Sequence, residues 1–279
     1  MPELPEVETV RRGLEQNLLG WKIQSATQLH LRALNPRSEA PLHAIAGTKI
    51  LELRRRGKFL WFVLDREYAL VAHLGMSGQF LINPDHDKHT RALFTVSRGF
   101  KREALHFNDQ RTFGWVSVET LHDGIPTSAM PIALDPFEPK FDQEAVITNI
   151  KGRHVKIKTA ILNQNIVSGI GNIYADESLW LAKIHPESTA SALSRTEIKR
   201  VLDCAADVMS KAIDVGGTSF DELYINVNGE SGYFDISLNA YGQEGEPCPR
   251  CGTQIRRIAF ANRSSHFCPR CQKPKVTSK

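Results

Sequence analysis

The pairs Cys248-Pro249-Arg250-Cys251 and Cys268-Pro269-Arg270-Cys271, sixteen residues apart, fix how the C-terminal end of this chain is read. Two C-x-x-C pairs at this separation match one tetrahedral Zn2+ held by four thiolates. With four protein ligands the expected site is structural, without an open position for catalysis. Two disulfides are the competing reading, disfavoured in a chain without a secretion signal. Between the pairs, Ile255–Phe260 and His266–Cys268 are β-prone and flank Ala261-Asn262-Arg263-Ser264, so a zinc-held hairpin is expected with Arg263 at or near its tip. An arginine there either meets a phosphate or a groove, or is a solvated turn residue; local sequence leaves both open.

Outward from the cysteines, charge is unevenly spread. Residues 239–279 hold eight Lys/Arg (Arg250, Arg256, Arg257, Arg263, Arg270, Lys273, Lys275, Lys279) and two acids (Glu244, Glu246), a net of +6. The whole chain carries +4, so the rest is slightly acidic. A basic end on a near-neutral body points to a polyanion, most simply nucleic acid. No apolar run approaches the ~20 residues that span a bilayer, so no membrane partner is expected. No basic, apolar leader opens the chain; a cytoplasmic, nucleoid-associated location is expected.

At 279 residues the chain is long enough for two domains. Residues 21–120 are β-rich: Trp21–Leu34, Lys49–Arg54, Lys58–Leu64, Tyr68–Ala72, Ala92–Ser97, Ala104–Phe107 and Gly114–Val118 are short β-prone runs separated by turn residues, a sandwich or barrel-like pattern. Residues 121–141, with Gly124, Pro126, Pro131, Pro136 and Pro139, read as a linker. From 142 the signal turns helical, over Gln143–Ile150, Lys156–Gln164, Ile173–Lys183 and Thr196–Val215. The last has one apolar face and a Ser194-x-x-Glu197 capping box; Cys204, on that face, is read as a small buried hydrophobe. Residues 218–247 are weakly patterned and expected to be partly mobile. The expected domains are 1–120, the linker, 142–238 and the finger 239–279.

Four stretches carry chemistry. The chain opens Met1-Pro2-Glu3-Leu4-Pro5-Glu6 and runs into a helical pattern over 5–19. Removal of Met1 would expose a Pro2 secondary amine, partly neutral near pH ~8 and able to capture a sugar carbon as an iminium, with Glu3 beside it for proton transfer. A plain helix start is the blander reading. Arg54-Arg55-Arg56-Gly57-Lys58 crowds four cations at a strand junction, calling for anions nearby or a solvated hairpin end; Lys58 precedes apolar Phe59-Leu60-Trp61-Phe62, so its amine is partly buried and aimed. His73-Leu74-Gly75-Met76-Ser77-Gly78 and Asp109-Gln110-Arg111-Thr112-Phe113-Gly114 put Met76, Arg111 and Phe113 on glycine-rich turns, either packing into a core or wedging into a base stack. Asn163 to Ser178 reads as a helix stop, two glycines (Gly169, Gly171) and a helix start near Asn172, whose N–H groups suit an anion.

Together, these motifs resemble the formamidopyrimidine-DNA glycosylase family over essentially the whole chain. The resemblance implies an α+β fold of two domains: an N-terminal β-sandwich with an N-terminal helix, and a helical helix–two-turn–helix domain with a zinc-finger β-hairpin. It implies a monomeric clamp on damaged double-stranded DNA, a base flipped from the stack, and a glycosylase/lyase removing oxidised purines such as 8-oxoguanine and formamidopyrimidines by β,δ-elimination. Pro2 would be the nucleophile, Glu3 the proton partner of the sugar oxygen, Lys58 the proton-transfer residue of β-elimination, and Arg263 a phosphate grip linked to δ-elimination. His73, His89, Arg111, Arg153, Asn172 and Tyr241 match DNA contacts, and Met76, Arg111 and Phe113 match the trio filling the gap left by the flipped base. One structural Zn2+ is implied, with no catalytic metal or redox cofactor. Departures from the pattern are local: Leu134-Asp135-Pro136-Phe137-Glu138-Pro139 in the linker, Gln110 and Thr112 in the second turn, and Leu162-Asn163-Gln164 before the glycines. Two alternatives stand beside this reading. One is the endonuclease VIII branch for oxidised pyrimidines, which Leu4 disfavours because that branch begins with glycine there. The other is a non-catalytic zinc-dependent DNA-binding protein.

Overall fold

The first helix shows how the chain begins its fold. Val7, Val10, Leu14 and Leu18 recur at helical spacing, and all four are buried along α1 (Leu4–Leu18). Glu3 and Glu6 close the start as a capping box, the Glu3 N–H donating to Glu6 Oε2 at 2.8 Å, and Pro5 lies in the first turn. A computed structural model describes residues 2–85, 87–216 and 238–276.

The β-rich region forms two antiparallel sheets. Strands β1 (Lys22–Gln28), β6 (Thr90–Arg98), β7 (Lys101–Asp109) and β5 (Gly78–Ile82) lie in that order in one; β2 (Ile50–Arg56), β3 (Phe59–Leu64), β4 (Tyr68–His73), β8 (Trp115–His122) and β9 (Ile125–Pro126) make the other. Their inner faces share a core: Leu60, Phe62 and Leu70 meet Phe80, Phe94 and Phe107, with the α1 residues at its edge. Phe62 and Phe80 span the two sheets edge to face, ring centroids 5.7 Å apart.

The second unit contains α2 (Gln143–Lys151), α3 (Ile157–Leu162), α4 (Asn172–Ala182), α5 (Arg195–Asp214) and the hairpin β10 (Arg256–Phe260)–β11 (Arg263–Phe267). The expected α5 capping box is present: Ser194 N donates to Glu197 Oε2 at 3.0 Å, and Glu197 N to Ser194 Oγ at 3.2 Å. The two compact units divide between Pro131 and Ile132, inside the proline-rich stretch: β8 and β9 carry residues up to 126, and residues 132–214, with those from 238 onward, belong to the helical unit.

Several expectations are corrected in detail. Trp21–Leu34 is not one strand. β1 ends at Gln28, whose side-chain amide donates to the His30 and Leu31 carbonyls and turns the backbone into a short 3-10 segment. Strand β5 was hidden because glycine and glutamine open it; pairing with β7 makes it a strand. The hairpin turn is tighter than four residues: Phe260 pairs with Arg263, leaving Ala261-Asn262 as the loop, so Arg263 is the first residue of β11. Cys204 is half-buried at the edge of the α5 apolar face, outside the fully enclosed core. The loop expected over 218–247 falls largely on residues 217–237, outside the described residues.

Candidate active site and nucleic-acid interface

In the first unit, strand register gathers the candidates. Phe59 pairs with His73, and His73 with Trp115. The β2–β3 turn carrying Lys58, the turn after β4 carrying Met76, and the turn before β8 carrying Arg111 and Phe113 therefore share one end of the sheet. Helix α1 runs antiparallel to β2: Arg11 Nη1 donates to the Leu53 carbonyl at 3.1 Å, and Glu8 Oε2 meets Arg55 Nε at 3.1 Å. Descending the helix thus ascends the strand, which brings buried Pro2 and Glu3 to the same end as Gly57 and Lys58. Gly57 has φ +54°, the glycine position of a two-residue hairpin turn.

The cation run is partly neutralised from within. Arg55 pairs with Glu8, and Arg54 with Glu52 at 2.6 Å. Burial pushes the Glu8 carboxyl up, but hydrogen bonds and charge from Arg11, with Arg55 and Arg12, outweigh it and hold the group at about 2. This ion cluster fixes α1, and with it the start of the chain, against the strand that leads to Lys58.

His73 lies within an aromatic cluster, stacked on Trp115 at 5.8 Å and edge-on to Phe59 at 5.1 Å. Burial pushes its imidazole down, and the Lys58 charge adds to this, to about 4. Its Nδ1 accepts from the Gly75 N–H at 3.1 Å, so the neutral ring carries its proton on Nε2. An uncharged donor beside Lys58 adds no further positive charge to that end of the sheet.

The two glycine-rich turns, carrying Met76 and carrying Arg111 and Phe113, interlock. A Cβ on Gly75 would stand 2.4 Å from the Phe113 carbonyl carbon and the Gly114 nitrogen, so the backbones touch where a side chain has no room. Phe113 is 62 % exposed and Arg111 is exposed, while Met76 is half-buried; Phe113 is no core residue. His89 adjoins this turn, its carbonyl accepting from Asp109 N at 2.9 Å and its Nδ1 lying 3.4 Å from Arg91 Nη2.

In the second unit the candidates meet at the Ser264 carbonyl. It accepts from Asn172 Nδ2 at 3.2 Å and Lys158 Nζ at 3.1 Å, and exposed Arg263 is the preceding residue. Lys158 is fully buried and pairs with fully buried Asp176 at 2.6 Å. Asp176 also accepts from Ser265 Oγ at 2.7 Å and His266 N at 2.8 Å, tying α3, α4 and β11 together. Tyr241 packs edge-on to His266 at 5.2 Å. The segment leading into Tyr241 is held by Glu177, which accepts from the N–H groups of Asn239, Ala240 and Tyr241. Arg153 is positioned separately, past the end of α2, its Nε donating to Asn149 Oδ1 at 2.8 Å. The two turns between α3 and α4 are braced by Gln164, which accepts from Gly169 N at 2.9 Å and donates to the Ile170 carbonyl at 3.0 Å.

Sequence reasoning missed the residues that hold these candidates: Ser77 and Asp109 in the first unit, Lys158, Gln164, Asp176 and Glu177 in the second. A signal existed for some. Lys158 lies in the short apolar helix Ile157–Leu162, and Asp176-Glu177 interrupts the otherwise apolar α4. Charges in helices with no polar face must be paired inside.

The four cysteines form the metal cluster expected of them. Their sulfurs lie within 4.8 Å of one another, and Cys251 and Cys268 Sγ are 3.5 Å apart. Zn–S bonds of about 2.3 Å at tetrahedral angles put sulfurs about 3.8 Å apart, so the cradle fits Zn2+. None of the four is in a disulfide. Trp180 Nε1 donates to Cys248 Sγ at 3.4 Å, and the Arg250 guanidinium lies over the Trp180 ring at 4.0 Å. Such outer contacts orient thiolates and temper their charge.

Comparison with known proteins agrees with this architecture. Residues 1–116 match the family model for the formamidopyrimidine-DNA glycosylase N-terminal domain, residues 132–223 that for its H2TH domain, and residues 245–274 that for the zinc finger found in FPG and IleRS. These matches define a DNA glycosylase with a structural zinc finger. The chain belongs to the formamidopyrimidine-DNA glycosylase family, whose members are glycosylases and abasic-site lyases. A formamidopyrimidine-DNA glycosylase from Rhodococcus erythropolis is 52% identical across 98% of this chain and 97% of the relative. The MutM (Fpg) crystal structure from Thermus thermophilus superposes with a TM-score of 0.85 at 33% identity, covering 98% of this chain and 99% of that one. A Lactococcus lactis Fpg in complex with DNA containing an abasic site superposes with a TM-score of 0.83 at 33% identity, covering 98% and 100%.

Proposed function

We propose that this glycosylase binds damaged double-stranded DNA as a monomer, removes oxidised purines such as 8-oxoguanine and formamidopyrimidines, and nicks the strand by β,δ-elimination. The observation that carries the reading is the gathering of Pro2, Glu3, Lys58, Met76, Arg111 and Phe113 at one end of the first unit. With Met1 removed, the Pro2 amine attacks C1′ of the damaged nucleotide. The glycosidic bond breaks, the base departs with a proton, and the sugar ring opens as Glu3 exchanges a proton with its oxygen. The resulting iminium acidifies C2′–H; Lys58 takes that proton, its electron pair forms the C2′–C3′ double bond, and the C3′–O bond breaks to release the 3′ phosphate. In a second elimination C4′ loses its proton to solvent and the C5′–O bond breaks, expelling the 5′ phosphate with Arg263 against it. Met76, Arg111 and Phe113 occupy the stack during extrusion. His89 and Arg153 contact the DNA, and Asn172 and Tyr241 hold backbone phosphates. His73, neutral and packed against Trp115, serves the same surface by orienting the Lys58 end of the sheet. Zn2+ on Cys248, Cys251, Cys268 and Cys271 supplies folding energy to the hairpin bearing Arg263.

The test is base release from otherwise identical duplexes carrying 8-oxoguanine or thymine glycol. Faster release of 8-oxoguanine is expected. A preference for thymine glycol would move the protein to the oxidised-pyrimidine class, and release of neither would leave a DNA-binding protein without this chemistry.

A further inference from the structure

The wedge turns are held by a carboxylate that the chemistry above does not use. Asp109 is 0% exposed at the end of β7. Its Oδ1 accepts from Ser77 Oγ at 2.5 Å and from Arg111 N at 3.2 Å, and its Oδ2 from Gly114 N at 2.6 Å. Ser77 Oγ in turn accepts from Arg111 N at 3.0 Å. One side chain therefore binds the turn carrying Met76 to both ends of the turn carrying Arg111 and Phe113. The backbone of Asp109 anchors the same point: its N–H donates to His89 O at 2.9 Å, and its carbonyl accepts from Arg91 Nε at 2.8 Å. Between these ties Thr112 adopts φ +57°, an unfavoured conformation for a β-branched residue, held by its surroundings. Gly114 also has no room for change, since a Cβ there would meet the Leu74 carbonyl oxygen at 2.9 Å.

We propose that Asp109 is a positioning residue for base extrusion: its buried carboxylate, with Ser77, sets the spacing at which Met76, Arg111 and Phe113 enter the DNA stack. This rests on the reading of those three residues as the wedge. The geometry explains why a carboxylate is needed. All three partners are donors, the Ser77 hydroxyl and the backbone N–H groups of Arg111 and Gly114, and a carboxylate offers acceptors on both oxygens. An asparagine of the same shape would present an amide N–H to one of them. The turns would loosen while chemistry at Pro2, carried by α1, stays intact.

The experiment compares abasic-site cleavage by the zinc-loaded full-length protein in a duplex and in the same strand alone. In the duplex the abasic nucleotide must still be turned out and the gap in the stack filled; the single strand has no stack to enter. Asp109→Asn is expected to slow duplex cleavage roughly 10- to 100-fold, the fold-change of one lost hydrogen bond to a charged acceptor. Single-strand cleavage should stay within about twofold, so kcat on the two substrates separates. Ser77→Ala should show a smaller loss of the same selectivity, and the double variant less than the product of the two. Equal losses on both substrates, or no loss on the duplex, overturn the proposal. If Asp109→Asn does not fold, Ser77→Ala decides by the same ratio. Phe113→Ala separates the underlying reading. If it leaves the duplex-to-single-strand ratio unchanged, the wedge assignment fails and the proposal with it. If it shifts the ratio while Asp109→Asn and Ser77→Ala do not, Asp109 alone loses its role.

Discussion

Replacing Asp176 with asparagine tests how the second unit is held at the point where Arg263 is presented. Lys158 and Asp176 are both 0% exposed and 2.6 Å apart. The same carboxylate accepts from Ser265 Oγ and His266 N, while Lys158 also reaches the Ser264 carbonyl. Asparagine keeps the shape but removes the charge, leaving an ammonium buried without its carboxylate. Breaking a buried ion pair from one side costs about 3–5 kcal/mol. Against a domain stability of about 5–15 kcal/mol, that is a large fraction of what holds the unit together. Lys158→Met should cost a comparable amount, and the double variant should cost less than the sum by at least about 1 kcal/mol, because neither charge is then left alone. Urea unfolding of the zinc-loaded protein gives the totals. Hydrogen exchange at the amides of α4 and β11 locates the loss. A cost for Asp176→Asn below about 1 kcal/mol, or additivity within about 0.5 kcal/mol, would refute the claim that this pair bolts the hairpin to the helices.

Other outcomes follow from the same structure. Stripping zinc with a strong chelator should unfold the finger, seen as loss of amide protection in β10 and β11, and weaken DNA binding at matched salt. Arg263→Ala should weaken DNA binding and slow the second elimination more than base release, read as accumulation of the singly eliminated product on a sequencing gel. For pH, the folded His73 titrates at about 4 against an ordinary 6.5, so the unfolded chain takes up this proton first as pH falls. The stability it supports is complete above 6.5 and declines by roughly 3 kcal/mol towards pH 4. Glu8, lowered to about 2 from 4.5, adds a second loss of similar size between those values. Urea midpoints from pH 7 to 3 should fall through the upper window and into the lower one, and His73→Gln should flatten the upper one.

Periodic patterns in the sequence were informative where burial is one-sided. Helices α1 and α5 bury one face each, so their apolar spacing predicted them to within a residue or so at each end. The four cysteines were equally legible, because metal coordination imposes a spacing that survives any backbone detail. Strand β5 was not, since Gly78-Gln79 has no strand preference and only β7 makes it one. The candidate site was visible as separate motifs; their assembly was not. That Lys58, Met76 and Phe113 share an end of a sheet depends on the register Phe59–His73–Trp115, a long-range pairing invisible in local sequence. Phe113 shows the limit of composition: an aromatic residue is ordinarily buried, yet here it is 62 % exposed because interlocked glycine turns hold it outward. Asp109 shows the converse. A turn aspartate usually faces solvent, and the burial of this one appears only when the Ser77 hydroxyl of a distant turn joins two N–H groups of its own turn around it.

In the proposed mechanism Pro2 captures the damaged nucleotide as an iminium. Borohydride reduces an iminium to a stable amine, so incubating the protein with 8-oxoguanine duplex in its presence should freeze a covalent protein–DNA adduct. Peptide mass mapping should place that adduct on residue 2 in protein lacking Met1, and protein that retains Met1, with an amide nitrogen at Pro2, should form none. Pro2→Gly should slow base release markedly. An adduct on another residue, no adduct at all, or an undiminished rate of base release in Pro2→Gly would contradict the account.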